Sequence, residues 1–255
     1  MEFFSEFLNT VNAFDPITLG EMDKVALLNR TDIKFVFHVN KLSEILKQAM
    51  SNYRILEIND MRHADYDTNY FDTDNFKFYQ DHHNRRSNRY KVRMRSYVNS
   101  DIHFFEIKYK SNKNRTVKTR IKIPYQEELI KGKAADLLEK TVGISSEVLK
   151  KAIQIHCKRM TLVNNQLTER VTVDFDMKYH INGEWFSYPE MIIVEVKRDK
   201  SGKSEFLKIL HDNHLRSMSL SKYSFGIANY ISGIKNNNFK KQILYVNKLR
   251  KQHAV

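Results

Sequence analysis

The chain has a single cysteine, Cys157, so it can form no internal disulfide, and a reducing compartment is expected. With only 3 prolines and 7 glycines, long flexible linkers are not expected. No GxGxxG or Walker-type sequence occurs, which argues against the common nucleotide-binding folds and the usual kinases. No run of about 18 apolar residues is present, so no membrane span is expected. The opening Met1-Glu2-Phe3-Phe4-Ser5-Glu6 lacks the basic start and apolar core of a secretory leader. Together these absences lead us to expect a soluble, cytoplasmic protein. There is no repeat of fixed period and no low-complexity tract; Lys235-Asn236-Asn237-Asn238 comes nearest and reads as a turn.

What the chain does have is positive charge. Among 255 residues there are 43 Lys and Arg against 30 Asp and Glu, a formal net charge of +13. Such a balance favours phosphate-rich partners, with solubility through positive charge as the plain alternative. An apolar fraction of 41% is enough for one large domain with small helical additions: N-terminal helices within residues 1–29 and a C-terminal helix within 236–255.

The charge is patterned. Arg89-Tyr90-Lys91-Val92-Arg93-Met94-Arg95 alternates basic and apolar residues, as do Glu106-Ile107-Lys108-Tyr109-Lys110, Lys118-Thr119-Arg120-Ile121-Lys122 and Glu195-Val196-Lys197. Successive strand residues point to opposite faces, so each stretch has a charged face and an apolar one. One such strand is an ordinary exposed edge. Several in one chain suggest a sheet closed around a cationic interior, its apolar face covered by helices.

Strands are expected at about 30–37, 53–58, 66–72, 89–98, 102–110, 117–123, 156–163, 168–180 and 190–198, with a short piece at 76–79. Helices are expected at about 41–51, 125–138, 146–155, 201–211, 220–234 and 239–251. Residues 81–88, containing His82 and His83, read as a polar turn. Many antiparallel strands with a few inserted helices point to an α+β barrel or tunnel.

Within these strands fall Lys34, Arg93, Arg95, Lys108, Lys118, Arg120, Arg159, Arg170 and Lys197, and Arg30 shares a face with Asp32 and Lys34. Arg binds two phosphate oxygens at once and Lys supplies a mobile point charge, so their convergence would neutralise a chain of phosphates. Salt bridges on an exposed sheet face are the alternative, set against the small number of acids in these strands. Three of them, Glu106, Asp174 and Glu195, sit in these strands beside basic positions. A carboxylate facing phosphate needs a divalent cation between them, and Glu195 in the apolar strand Ile192-Ile193-Val194-Glu195-Val196-Lys197 is the best metal-ligand candidate. Pairing of Glu195 with a neighbouring basic group is the other reading. His82 and His83 are expected to be solvent-exposed, and Cys157 buried and structural.

These segments resemble the VTC domain, the polyphosphate polymerase domain of vacuolar transporter chaperone proteins, in the triphosphate tunnel metalloenzyme superfamily. The likeness runs from about Leu28 to Gly233. Its segments come in family order: Arg30-Thr31-Asp32-Ile33-Lys34-Phe35, Tyr70-Phe71-Asp72-Thr73 with the bacterial-type His-rich turn, Lys91-Val92-Arg93-Met94-Arg95, Glu106-Ile107-Lys108, Arg170-Val171-Thr172-Val173-Asp174, Val194-Glu195-Val196-Lys197 and Ser221-Lys222-Tyr223. The resemblance implies a closed tunnel of eight antiparallel strands with flanking helices, occupying the chain as a single domain. It implies phosphate binding by Lys34, Arg93, Arg95, Lys108, Arg159 and Arg170, completed by Lys222, with Lys34, Lys222 and Glu195 as the catalytic set. It also implies a divalent metal, Mn2+ or Mg2+, held with help from Glu195.

The reaction so implied transfers the γ-phosphate of ATP to a growing polyphosphate chain. The expected partners are therefore ATP and inorganic polyphosphate, with no specific nucleic acid. Two departures from the family stand out: Cys157 occupies a position where the family commonly has Tyr, and Phe35 one where Tyr is frequent. The sensor domain and membrane spans of fungal members are not in this sequence, so coupled export into a vacuole does not follow; a membrane-protein partner is left open. Two rival readings stay open at this point. One is a triphosphate or nucleotide phosphohydrolase on the same fold. The other is a non-catalytic binder of polyphosphate or RNA, although Tyr90 and Tyr109 fall on the face opposite the charges.

Overall fold

The computed structural model describes residues 2–22, 25, 30–113, 115–199 and 202–251, with the side chains of residues 2–5 and of Arg30 outside the description. Eleven strands form one sheet. They are β1 (Pro16–Ile17), β2 (Arg30–His38), β3 (Tyr53–Leu56), β4 (Ala64–Asp72), β5 (Arg89–Tyr97), β6 (Ile102–Lys110), β7 (Thr116–Ile123), β8 (Lys150–Asn164), β9 (Glu169–Ile181), β10 (Glu184–Tyr188) and β11 (Met191–Asp199). The helices are α1 (Glu2–Asn12), α2 (Leu19–Met22), α3 (Leu42–Ala49), α4 (Lys77–His83), α5 (Lys133–Val142), α6 (Glu205–Asp212), α7 (Lys222–Tyr230) and α8 (Lys240–Lys251). No described helix is long and apolar enough to cross a membrane.

The main path runs β2-β11-β9-β8-β4-β5-β6-β7, with β10 beside β9, β3 beside β8 and β1 beside β3. Every pairing is antiparallel except β1–β3. The fold is therefore α+β and mostly antiparallel, as expected. It departs from the expected closed, eight-stranded barrel: the sheet has eleven strands, and among the described residues no ladder joins the end strands β2 and β7. The register explains the extra strands. β3 and β10 are short additions that pair at the ends of β8 and β9, and β1 pairs in turn with β3, all outside the alternating charged stretches.

Each alternating strand sends its apolar residues to the back of the sheet. Phe35, Phe37, Val171, Val173, Val194 and Val196 meet Phe7 and Val11 of α1, Leu42 and Ile45 of α3, and Phe206 and Leu210 of α6. Further along, Val92, Met94, Phe105 and Ile107 pack with Phe78 of α4 and with Ala134 and Leu138 of α5. Helices thus cover the apolar back, and the charged residues are left on the other face.

That other face is divided. At one end it is apolar: Val36, Ile153, Ile155, Cys157, Met177, Tyr179 and Ile193 enclose Tyr223, Phe225, Ile227 and Ala228 of α7. Helix α7 lies tight against the sheet; a Cβ on Gly226 would overlap Ile153 and sit 2.9 Å from the Tyr179 ring. Two bonds anchor the start of this helix. Ser221 caps it by accepting from the Ser224 amide, and the buried Tyr223 hydroxyl donates to Asp72. Asp72 also accepts from the backbone amides of Thr73, Phe78 and Tyr79, so one carboxylate ties β4, α4 and α7 together.

Local expectations failed in three places. Residues 150–155 open strand β8 where helical apolar spacing had suggested a helix; Ile153 and Ile155 are buried against α7, so tertiary packing overrode the local pattern. The helix read from residue 125 begins at Lys133, after Gly132 in a left-handed conformation. Finally, residues 77–83 form helix α4 instead of a short strand followed by a polar turn. His82 and His83 are therefore not the exposed pair expected. His83 is 1% exposed and accepts from the Asn238 amide, and His82 is half-buried against Phe239.

Candidate functional site: a cationic cleft on the curled sheet

The register brings the charged positions together. On β5 and β6, Arg89 lies opposite Lys110, Lys91 opposite Lys108, Arg93 opposite Glu106 and Arg95 opposite Phe104; β7 adds Lys118 opposite Lys108 and Arg120 opposite Glu106. At the other end of the strand order, Lys34 lies opposite Glu195, Lys197 opposite both Asp32 and Arg170, and Arg159 opposite Asp174. Although β2 and β7 do not pair, the sheet curls enough for the two walls to feel each other. Lys34 contributes to the charge environment of Lys91, Lys108 and His82. The site is a cleft between two walls of one curled sheet.

Three carboxylates organise it, each shared by two cations. Asp174, 3% exposed, accepts a two-pronged interaction from Arg159, with Nε–Oδ1 at 2.5 Å and Nη2–Oδ2 at 2.8 Å, and an ion pair from Lys222 at the start of α7. Glu106, 1% exposed, accepts from Arg93 Nε at 2.7 Å and pairs with Lys118. Glu195 sits 3.3 Å from Lys197 Nζ and 3.8 Å from Lys34 Nζ. Burial alone would raise all three carboxyl pKa values. Arg159 and Lys222 outweigh it at Asp174, Arg93 at Glu106, and Lys197 with Lys34 at Glu195, holding Asp174 far below the usual carboxylate range and the two glutamates at about 2. The scarcity of acids in these strands had argued against pairing. Sharing each acid between two cations pairs six basic groups and still leaves a positive excess.

The aromatic residues were missed as site components. Tyr66 presents its ring to two guanidinium groups, with Arg95 and Arg159 each 5.0 Å from the ring centroid. Arg95 also donates to Thr68 at 3.2 Å, and Arg120 lies 4.5 Å over the Phe104 ring. Tyr70 accepts a hydrogen bond from Arg93 at 3.1 Å. The alternation of β4 is the signal that could have found Tyr66, Thr68 and Tyr70, because it places all three on the face of their partners Tyr97, Arg95 and Arg93.

Lys91 was also passed over as an individual site residue. Its Nζ donates to Ser221 at 2.7 Å, joining β5 to the cap of α7. Burial, reinforced by Lys34, Lys108, Arg89 and Arg93, pushes its pKa well down. Burial and then Arg93 lower Lys108, and burial lowers Lys197 to about 8. Burial and then Lys91 bring His82 down to about 2, which makes it a neutral imidazole beside the basic wall. Of the positions expected from sequence, Arg30 has its side chain outside the described residues. Lys34, Arg93, Arg95, Lys108, Lys118, Arg120, Arg159, Arg170, Lys197, Lys222 and Glu195 all fall on or beside the cleft face. Cys157, 4% exposed, is buried at the edge of the α7 cluster, where burial pushes its thiol pKa up. Tyr90 and Tyr109 lie against each other behind the cationic row, their rings tilted by 30° at a centroid distance of 4.9 Å.

The donor set bears on a metal. Among the described residues no group of three His, Cys, Asp or Glu side chains gathers to cage an ion. Glu195 is a single carboxylate with an 18% exposed side chain at the cleft face. That suits Mg2+ or Mn2+, which commonly takes one or two carboxylates and completes its shell with phosphate oxygens and water.

The family model described as the VTC domain matches residues 29–231, and the chain belongs to that family. No curated protein matches it. Among solved structures, a putative adenylate cyclase from Bacillus halodurans is 16% identical over 80% of this chain and 100% of its own, with a TM-score of 0.49. A putative adenylyl cyclase from Hippeastrum, described as having a dominant triphosphatase activity, is 11% identical over 79% of this chain and 97% of its own, with a TM-score of 0.47. The PH1819 protein from Pyrococcus horikoshii is 14% identical over 76% and 96%, at a TM-score of 0.43. These are distant likenesses only.

Proposed function

We propose that the chain is a phosphotransferase of the triphosphate-tunnel type, which moves the γ-phosphate of ATP onto the end of a growing polyphosphate chain within the cationic cleft. The observation that carries this reading is the directly opposed pair Lys91–Lys108, faced across the cleft by Lys34. Neither Lys91 nor Lys108 forms an ion pair with a described carboxylate. Like charges set opposite each other across a ladder are destabilising, and an anion lying between them turns that repulsion into attraction. A row of such positions continued by Arg89–Lys110 suits a chain of phosphates better than a single one.

In this reaction class the protein contributes positioning and charge stabilisation, and no side chain needs to become covalently attached. Arg93, Arg95 and Arg159 are buried or nearly so and held by Glu106, Thr68 and Asp174, so their guanidinium groups are oriented before substrate arrives. Lys222 is fixed by its pairing with Asp174 and by the Tyr223–Asp72 anchor in the next residue. Lys34 and Lys197 flank Glu195 and would hold the triphosphate beside it. A divalent cation bound there would neutralise charge on the β- and γ-phosphates. The incoming oxygen belongs to the terminal phosphate of the chain, and ADP leaves as the γ-phosphorus–oxygen bond breaks. Two anions must meet for this, and the excess of cations offsets their repulsion.

The purified protein incubated with ATP and Mn2+ is expected to make a polymer that a phosphate-stained gel resolves. Lys34→Ala and Glu195→Gln are each expected to reduce synthesis to background. Orthophosphate released without polymer would replace this reading with triphosphate hydrolysis on the same cleft, and full synthesis by both variants would overturn the residue roles.

A further inference from the structure

We propose that Tyr70 is a phosphate-binding residue of this cleft, its hydroxyl donating a hydrogen bond to a phosphate oxygen held between Arg93 and Lys222. The inference rests on the polyanion reading of the site and adds a neutral donor to a set otherwise made of cations. Tyr70 lies on β4 directly opposite Arg93 and on the face that carries Thr68 and Arg95. Its ring stacks on Tyr223 with centroids 5.1 Å apart and planes 23° from parallel. Tyr223 is in turn locked by its bond to the buried Asp72, so the Tyr70 ring has a rigid backing. The residue is 7% exposed. Arg93 Nη1 donates to the phenolic oxygen, so that bond does not use the Tyr70 proton.

The electrostatics point the same way. Arg93 and Arg95 face the hydroxyl from β5, Lys108 from β6 and Lys222 from α7, with Glu106 behind Arg93 and the neutral Tyr179 and Tyr223 on the apolar side. Burial would raise the phenol pKa, but Arg93 and Arg95 outweigh it and lower Tyr70 to about 8. In the free protein a phenolate therefore forms above about pH 8 and takes up the cations that a phosphate would use. A bound polyanion repels that phenolate and keeps the phenol protonated. Binding and Tyr70 ionisation are thus linked, and each weakens the other.

The test uses the full chain, tripolyphosphate as probe and Tyr70→Phe, which keeps the ring and its stacking. In the wild type, an early-titrating tyrosine is expected in the near-ultraviolet tyrosinate band near pH 8, moving upward when tripolyphosphate is added. Tyr70→Phe is expected to lose that early titration. At pH 7 it should bind tripolyphosphate about tenfold more weakly, and its melting temperature should fall only by what the lost Arg93 hydrogen bond accounts for. Lys197 loses charge over the same pH range, so the affinity readout is the difference between the two proteins, and the tyrosinate band excludes lysine outright. An unshifted band, or wild-type affinity at pH 7 in Tyr70→Phe, would overturn the assignment of Tyr70. Failure of the wild type to bind tripolyphosphate at all would instead remove the polyanion reading beneath it.

Discussion

The two walls of the cleft solve the same electrostatic problem in opposite ways. On β9, β8 and β11 the carboxylates Asp174 and Glu195 pair Arg159, Lys222, Lys34 and Lys197, and the back of this wall is covered by α1, α3 and α6. On β5, β6 and β7 only Glu106 intervenes, while Arg89–Lys110 and Lys91–Lys108 stand opposed with no acid between them. The outermost strand of this wall, β7, ends the sheet. The first wall is therefore organised without ligand, and the second keeps an unfavourable arrangement that a bound anion would relieve. A site can use both: one wall to orient, the other to draw the polyanion in.

Removing Asp174 should produce the largest effect. Asp174→Ala leaves Arg159 and Lys222 uncompensated beside a buried wall and is expected to cost about 3–5 kcal/mol in a denaturant titration. A loss below about 1 kcal/mol would mean that the first wall is not held by its acids. Glu106 sharpens the comparison through pH. Its folded pKa of about 2 lies below the ordinary value of 4.5, so the stability it contributes is fully present above about pH 4.5 and is lost as the pH falls towards 2. In Glu106→Gln, the part of the acid-unfolding curve between those limits should flatten; an unchanged curve would show that the Arg93–Glu106–Lys118 cluster is not stabilising. The smallest effect, and the most diagnostic, is expected at Lys108. Lys108→Met removes one member of the opposed row, so the free protein should gain about 0.2–1 kcal/mol while tripolyphosphate binds more weakly. If stability and binding fall together, the row is not held in repulsion.

Much of this was visible in the chain. The alternation in Arg89–Arg95 and Glu106–Lys110 correctly assigned which residues face the cleft and which face the core, because a strand has a period of two whatever its neighbours are. Lys34, Glu195 and Lys197 were legible for the same reason. The pairing of acids with cations was not, since Asp174 meets Lys222 only when α7 folds onto the sheet, 48 residues further along the chain. Tyr66 and Tyr70 also stayed hidden. Their β4 segment carries no alternating basic residues, and their roles come from Arg95, Arg159 and Arg93 on neighbouring strands. The helical spacing of residues 146–155 misled because Ile153 and Ile155 are buried by α7, a contact that local periodicity does not encode.

The amino-acid order alone determined the net charge, the two-residue rhythm and hence a sheet with one cationic face, all of which follow from local stereochemistry. Whether that sheet closes, which carboxylate each cation meets, and how α7 divides the concave face into an apolar half and a charged half were decided by tertiary structure. Those outcomes depend on register and on contacts between segments far apart in the chain, where burial and mutual charge, not local spacing, set the energy.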